Sequence, residues 1–165
     1  MKVKVIFVCL GNICRSPLAA AVFEEMVKKA GLENEFEIDS AGTSDYHIGE
    51  SPDQRTLENA AKHGLVINNK GRQISRKDLI NFDYIVAMDG ANLKNIQKLD
   101  QTHQFATKMF LMRDFDSIEK KGDVPDPYFG GEEGFENVYN IVKRSMENFL
   151  KELIKIHNLP LAVKQ

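Results

Sequence analysis

The chain has 165 residues, 42% of them apolar and 28% charged, with a formal net charge of −2. That length and balance fit one domain with a substantial core and exclude a disordered, fibrous or membrane-embedded chain. Lysine and arginine are scattered, so no overall basic field draws the protein to nucleic acid or to an anionic membrane, and an anionic substrate has to be caught by one local site.

Met1-Lys2-Val3-Lys4 before an apolar run, with Ala19-Ala20-Ala21 downstream, imitates a secretory signal, but the run from Val5 to Leu10 is too short and is followed by Asn12 and Arg15. Lys2 to Val8 is instead rich in β-branched residues and predicts a strand buried on both faces. Ser16 then predicts a helix cap with Pro17 in the first helical position, where its missing N–H costs nothing, followed by Ala19, Val22, Phe23, Met26, Val27 and Ala30 at helical spacing up to Gly31. Phe36 to Asp39 reads as a second strand. Ser51-Pro52 repeats the cap signal before a helix carrying Leu57, Ala60 and Ala61 and ended by Gly64. Ser75 with Asp78 predicts a capping box for another short helix. Phe82 to Met88 predicts a third strand, Asp89 caps a helix through about Leu99, and Lys108 to Met112 predicts a fourth strand. From Arg113 to Gly134, two prolines and four glycines predict an ordered functional loop. Phe135, Val138, Tyr139, Val142, Met146, Phe149, Leu150 and Leu153 then line one face of a long final helix, a core stripe rather than a partner surface.

Alternation of strand and helix without a linker or repeat predicts a single α/β domain over 1–165: a four-stranded, parallel, twisted sheet with helices on both faces. Ligands of such sheets bind beyond the carboxyl ends of the strands, which directs attention to Cys9. The chain's two cysteines, Cys9 and Cys14, share one short segment, a pattern expected of a reducing, cytoplasmic protein rather than of a disulfide-stapled secreted one. No stretch approaches the length of a transmembrane helix, so no membrane partner is expected.

The segment Cys9-Leu10-Gly11-Asn12-Ile13-Cys14-Arg15-Ser16 leaves a buried strand, turns through Gly11 and Asn12, the residue types most tolerant of left-handed backbone, and enters a helix. Backbone N–H groups of such a loop converge on one anion, helped by the helix dipole, and Arg15 adds a planar clamp on phosphate oxygens. The same donors stabilise a thiolate at the base of the cradle, with Ser16 as a further hydrogen-bond partner of the sulfur. The loop therefore binds phosphate and aims a nucleophile at phosphorus. A small buried cysteine of no chemical consequence accounts for Cys9 alone. A metal pair lacks a CxxC or a nearby histidine, and a nucleotide P-loop lacks its Gly-Lys-Ser/Thr, so neither a metal nor a cofactor is expected. A leaving alkoxide or phenoxide needs a proton, and Asp126 in Asp126-Pro127-Tyr128 is the candidate acid, with Tyr128 and Phe129 beside an aromatic slot; a plain Asp-Pro turn accounts for the same residues.

The stretch from Val8 to Pro17 resembles the signature of the low-molecular-weight protein tyrosine phosphatases. Asp126-Pro127-Tyr128 resembles that family's general-acid loop, Ser40-Ala41-Gly42-Thr43 resembles its second-strand turn, and the likeness spans nearly the whole chain. The resemblance implies Cys9 as nucleophile, Arg15 as phosphate and transition-state binder, and Asp126 as acid and then base, with Leu10, Gly11, Asn12, Ile13 and Cys14 around the phosphate. It implies a hydrogen-bond network of Asn12, Ser16, Ser40 and His63 holding the loop, and walls formed by Tyr46 on one side and Tyr128 and Phe129 on the other. Phe129 stands where some members carry a second tyrosine, which removes a phosphorylatable hydroxyl. The implied substrates are proteins phosphorylated on tyrosine.

Arsenate reductases of similar architecture need further cysteines for a thiol relay, and this chain has none beyond Cys14. Protein-arginine phosphatases of the family tend to carry threonine where Ile13 stands, and an apolar Ile13 suits a phenyl ring. A non-catalytic phosphate-binding module would be expected to lack the nucleophile or the acid. Finally, a loop curled around one anion is expected to bring Cys14 within disulfide reach of Cys9, making the enzyme redox-sensitive; plain packing of Cys14 behind the loop is the alternative.

Overall fold

In the computed structural model, which describes residues 1–161, the β-branched run near the start becomes strand β1 (Val3–Cys9). It pairs in parallel with β2 (Phe36–Gly42) on one side and β3 (Tyr84–Ala87) on the other, and β3 pairs with β4 (Met109–Leu111). The result is one open sheet in the order β2-β1-β3-β4, as expected for successive crossovers through helices.

The pleat of β1 explains why it reads as continuously apolar. Val3, Val5, Phe7 and Cys9 enter one core with helices α1 (Arg15–Lys29) and α5 (Glu132–Ile156), joined by Ala60 of α2 (Gln54–Lys62). Ile6 and Val8 point the other way, into a core with Leu79 of α3 (Arg76–Asn81) and Ile96 of α4 (Gly90–Gln97). Phe23 joins α1 to the first core, meeting Phe7 and Phe36 edge-on at 5.7 and 5.5 Å and Phe149 of α5 at 5.4 Å, within the range where aromatic pairs attract. Among the described residues, no helix is long and apolar enough to cross a membrane.

Several element ends differ from the sequence expectation. The Ser75–Asp78 capping box and the Asp89 cap are present as expected. Ser16, however, is not a cap: α1 starts at Arg15 with Cys14 in the cap position, which frees the Ser16 hydroxyl to face the loop. Pro17 then falls third in the helix, where an N–H would still have no intrahelical acceptor. The cap of α2 is Asp53, not Ser51; its carboxylate accepts the Arg55 N–H at 2.9 Å. The third and fourth strands are shorter than their apolar runs, and α5 starts at Glu132, so Gly134 lies inside its first turn. Glu132 and Glu133 favour that start by meeting the positive end of the helix dipole.

The long segment before α5 is anchored by a buried ion cluster. Asp116, fully buried, accepts hydrogen bonds from Arg113 Nε at 2.9 Å, Arg144 Nε at 2.7 Å and the Ile118 N–H at 3.0 Å. Arg113 Nη1 also donates to the Asp123 carbonyl at 3.2 Å, and the Val124 N–H donates to Met88 O at 2.8 Å just past β3. The segment is thus fixed to α5 at one end and to the sheet at the other. Burial by itself raises the Asp116 pKa, but the hydrogen bonds from Arg144 and Ile118 and the charges of both arginines outweigh it and hold the carboxyl at about 2.

Removing one partner of a buried ion pair strands the other charge, so Asp116→Asn is expected to cost about 3 kcal/mol in urea unfolding. A depressed folded-state pKa gives stability that is present above the ordinary value of 3.8 and is lost as pH falls toward about 2. The acid limb of wild-type stability over that window is expected to flatten in Asp116→Asn.

Candidate active site

Between the end of β1 at Cys9 and the start of α1 at Arg15, the chain curls at the carboxyl end of the sheet. The register that sets Cys9 beside Gly42 makes this curl possible: a Cβ on Gly42 would lie 2.7 Å from Leu10 O and 3.1 Å from Asn12 N. Only a glycine lets the loop lie this close to the end of β2. Asn12 carries the turn, with φ of 59° in the left-handed region that asparagine tolerates. Gly11 does not share it; its φ is not positive, and what requires glycine there is the His47 ring, whose Cδ2 would lie 2.9 Å from an added Cβ.

The side chain of Asn12, wholly buried, holds the loop from behind. Its Nδ2 donates to Ser16 Oγ at 2.8 Å and to Ser40 Oγ at 2.9 Å, and its Oδ1 accepts the Arg72 N–H at 3.1 Å. Ser16 Oγ sits 3.0 Å from Cys9 Sγ and 3.2 Å from the Ala41 carbonyl, and the Asn12 N–H donates to Cys9 Sγ at 3.3 Å. The residue that completes this network is Asn69, whose Nδ2 donates to Ser40 Oγ at 3.2 Å. His63 is not part of it. At the carboxyl end of α2 its ring stacks on Tyr139 at 3.5 Å and its Nε2 bonds Glu136 at 2.5 Å, because the chain from Gly64 to Asn69 carries a different side chain back to Ser40.

Arg15 is almost fully buried, yet it lines the cavity in front of Cys9. Its Nη1 donates to Asp89 Oδ2 at 2.6 Å and to the Val124 carbonyl at 3.0 Å, while Nη2 lies 3.6 Å from Asp126 Oδ2. Burial disfavours its charge, but Cys9, then Asp89 through hydrogen bond and charge, then Asp126, more than offset this and raise its pKa above the ordinary value. Cys14 is buried, and burial pushes its thiol up to about 12, against a hydrogen bond with Thr56 that pulls down, and with Asp53, Cys9 and Asp126 adding to the rise.

In front of these groups opens a cavity of about 240 Å³. Cys9, Leu10, Gly11, Ile13, Cys14 and Arg15 line it together with Tyr46, Asp126, Tyr128 and Phe129 at its rim, while Asn12 lies outside the lining. Tyr128 and Phe129 meet edge-on at 4.9 Å, and Phe129 and Tyr46 are exposed at 95% and 72%. His47, on the same rim and hydrogen-bonded to Glu50 through Nδ1, is a further lining residue. Sequence reasoning missed His47, Asn69 and the partnership of Asp89 with Arg15. Asp89 carried a signal: a polar residue two positions past a parallel strand stands where such sheets place their ligands.

A family model for the low molecular weight phosphotyrosine protein phosphatases matches residues 4–158. The low molecular weight phosphotyrosine protein phosphatase of Schizosaccharomyces pombe is 46% identical over 152 residues, 92% of this chain and 97% of that protein. The crystal structure of a protein tyrosine phosphatase from Entamoeba histolytica superposes with a TM-score of 0.90 at 39% identity, covering 96% of this chain and all of that one. An arginine phosphatase of Drosophila superposes with a TM-score of 0.85 at 36% identity, covering 93% and 98%.

Asn12→Ala removes the acceptor of the Arg72 N–H and the hydrogen bonds to Ser16 and Ser40, and forces a left-handed backbone on alanine. With each orphaned buried group costing about 1–3 kcal/mol, urea unfolding is expected to show a loss of at least about 2 kcal/mol. Inorganic phosphate binding, read by calorimetry, is expected to weaken as well. Asn12→Gly relieves the backbone strain alone and is expected to fall between the two.

Proposed function

This chain belongs to the low molecular weight phosphotyrosine protein phosphatase family, and we propose that Cys9, Arg15 and Asp126 carry its chemistry on proteins phosphorylated on tyrosine. The observation that supports this most is the convergence in one cavity of a buried sulfur, a buried paired guanidinium and a half-exposed carboxyl. The phosphate enters with its oxygens toward Arg15 and the loop, and its aryl ring rests between Tyr46 and the Tyr128–Phe129 pair. Ile13, packed on Cys14 and Phe135, supplies an apolar floor that suits a phenyl ring.

The Cys9 sulfur attacks phosphorus as the bond to the tyrosine oxygen breaks, and Asp126 in its acid form gives that oxygen a proton. Nη1 of Arg15 is held by Asp89 and Val124, so its plane is fixed before substrate arrives and the charge on the equatorial oxygens meets a donor that need not reorganise. The phosphocysteine is then attacked by water, whose proton returns to Asp126; the sulfur–phosphorus bond breaks, and inorganic phosphate leaves. Ser16, 3.0 Å from the sulfur, steadies it as a leaving group.

Two free cysteines in one loop suit a reducing compartment, and the cytoplasm is the proposed location. The same pair suits reversible oxidation. Peroxide converts the Cys9 thiolate to a sulfenic acid with release of hydroxide; the Cys14 thiol then attacks that sulfur, and a disulfide and one water result.

Cys9→Ser is expected to abolish turnover of aryl phosphates while vanadate still binds, because Arg15 and the loop remain. In the same series Asp126→Ala is expected to slow hydrolysis by about 10²–10⁴-fold for poor leaving groups, with a smaller loss for acidic phenols that depart unprotonated. Equal losses for both kinds of phenol would remove Asp126 from the acid role.

After peroxide treatment, dithiothreitol is expected to restore wild-type activity and to restore much less in Cys14→Ser. Equal recovery would leave Cys14 as packing alone.

A further inference from the structure

The acid loop carries Asp126, yet it has no regular structure from Pro125 to Gly130, and its aromatic tip lies in solvent. Two hydrogen bonds are internal to it: the Tyr128 N–H donates to Asp126 Oδ1 at 3.1 Å and the Gly130 N–H to Pro127 O at 2.9 Å. Among the described residues, its backbone accepts hydrogen bonds from a part of the chain distant in sequence at two points only, and both come from Arg55 in the first turn of α2. Arg55 Nη2 donates to the Tyr128 carbonyl at 2.8 Å, and Nη1 to the Gly130 carbonyl at 3.2 Å. The guanidinium also lies over the rings of Tyr128, at 5.5 Å, and Phe135, at 4.7 Å.

The opposite edge of the same guanidinium is locked in a fork. Nε donates to Asp53 Oδ1 at 3.1 Å and Nη2 to Asp53 Oδ2 at 3.0 Å. Asp53 in turn donates its N–H to the Ile13 carbonyl at 2.8 Å, inside the phosphate loop. A continuous path therefore runs from Ile13 through Asp53 and Arg55 to the carbonyl of Tyr128, the residue whose N–H donates to the Asp126 carboxylate. A fork of this kind fixes direction as well as distance, which a single ammonium cannot do.

We infer that Arg55 is a positioning residue for the general acid, tying the Asp126 loop to the phosphate loop through the Asp53 fork. It touches neither the phosphate nor the reacting atoms. The inference rests on Asp126 being the acid, and it concerns how that carboxyl is held at the distance a proton transfer needs.

The test compares kcat/KM for phenyl phosphate, a poor leaving group, and p-nitrophenyl phosphate, a good one, in Arg55→Met, Arg55→Lys, Asp126→Ala and the double variant Arg55→Met/Asp126→Ala. The ratio of the two rates is independent of the fraction of folded enzyme, so it separates positioning from stability. Arg55→Met is expected to lose about tenfold more on phenyl than on p-nitrophenyl phosphate, part of the 10²–10⁴ that a positioned proton donor supplies. Vanadate affinity is expected to change less than about twofold, as Cys9 and Arg15 are untouched, an outcome consistent with independent sites. Arg55→Lys, which keeps the charge but not the fork, is expected to behave as Arg55→Met, and the double variant to show no leaving-group dependence beyond that of Asp126→Ala. Equal losses on both phenols in Arg55→Met, restoration of the wild-type ratio by lysine, or additive losses in the double variant would each overturn the role of Arg55. Leaving-group dependence in Asp126→Ala with none in Arg55→Met overturns the role of Arg55 alone; absence of dependence in Asp126→Ala overturns the assignment of the acid itself.

Discussion

A guanidinium almost withdrawn from water must be paired, and the pairing of Arg15 sets the geometry of everything around it. Its partners come from two other places in the chain. Asp89 stands just after β3 and uses one carboxylate oxygen on Arg15 while the other accepts the Asn92 N–H and caps α4. The carbonyl of Val124 belongs to the segment that leads to Asp126, and the N–H of that same residue is tied to Met88. The start of α1, the start of α4 and the entry to the acid loop therefore meet on one side chain.

Around this point the site divides into a braced, buried part and an exposed one. The phosphate loop is braced from behind by Asn12, Ser16, Ser40 and Asn69, nearly every polar atom of which has a partner inside the protein. Such a network is strong because it is satisfied, and it keeps Cys9 and the loop in one shape whether or not an anion is present. The rim is different. Tyr46 and Phe129 are held by few contacts and project from loops, a placement that suits peptides of varied sequence around one fixed phosphate. Arg55 stands between the two regimes, with one edge on the cap of α2 and the other on the acid loop.

Much of this was legible in the order of residues. Continuous β-branched runs separated by amphipathic helices required a parallel sheet covered on both faces, and Cys9 to Ser16 at the end of the first run required an anion loop, because glycine, asparagine, arginine and a helix start each have a local physical meaning there. Asp126-Pro127-Tyr128 was visible as an acid beside aromatic residues. Caps were legible where side chain and backbone are neighbours, as for Asp89 and the Ser75–Asp78 box, and less so where two capping residues competed, as Ser51 and Asp53 did before α2.

What the order of residues left open were partnerships across long separations. Asp89 with Arg15, Asn69 rather than His63 with Ser40, and Arg55 with the carbonyls of Tyr128 and Gly130 span 74, 29, 73 and 75 positions. No local propensity encodes such contacts; they arise when the sheet register fixes where the loops at the carboxyl edge come together. The sequence by itself therefore determined the fold class and the place of the loop from Cys9 to Ser16, since each depends on periodicity or on a contiguous motif. The tertiary structure alone decided which buried partners hold Arg15, which side chain closes the network behind Asn12 and which cation fastens the acid loop, because those choices are made by distance in space among residues that sequence spacing leaves unrelated.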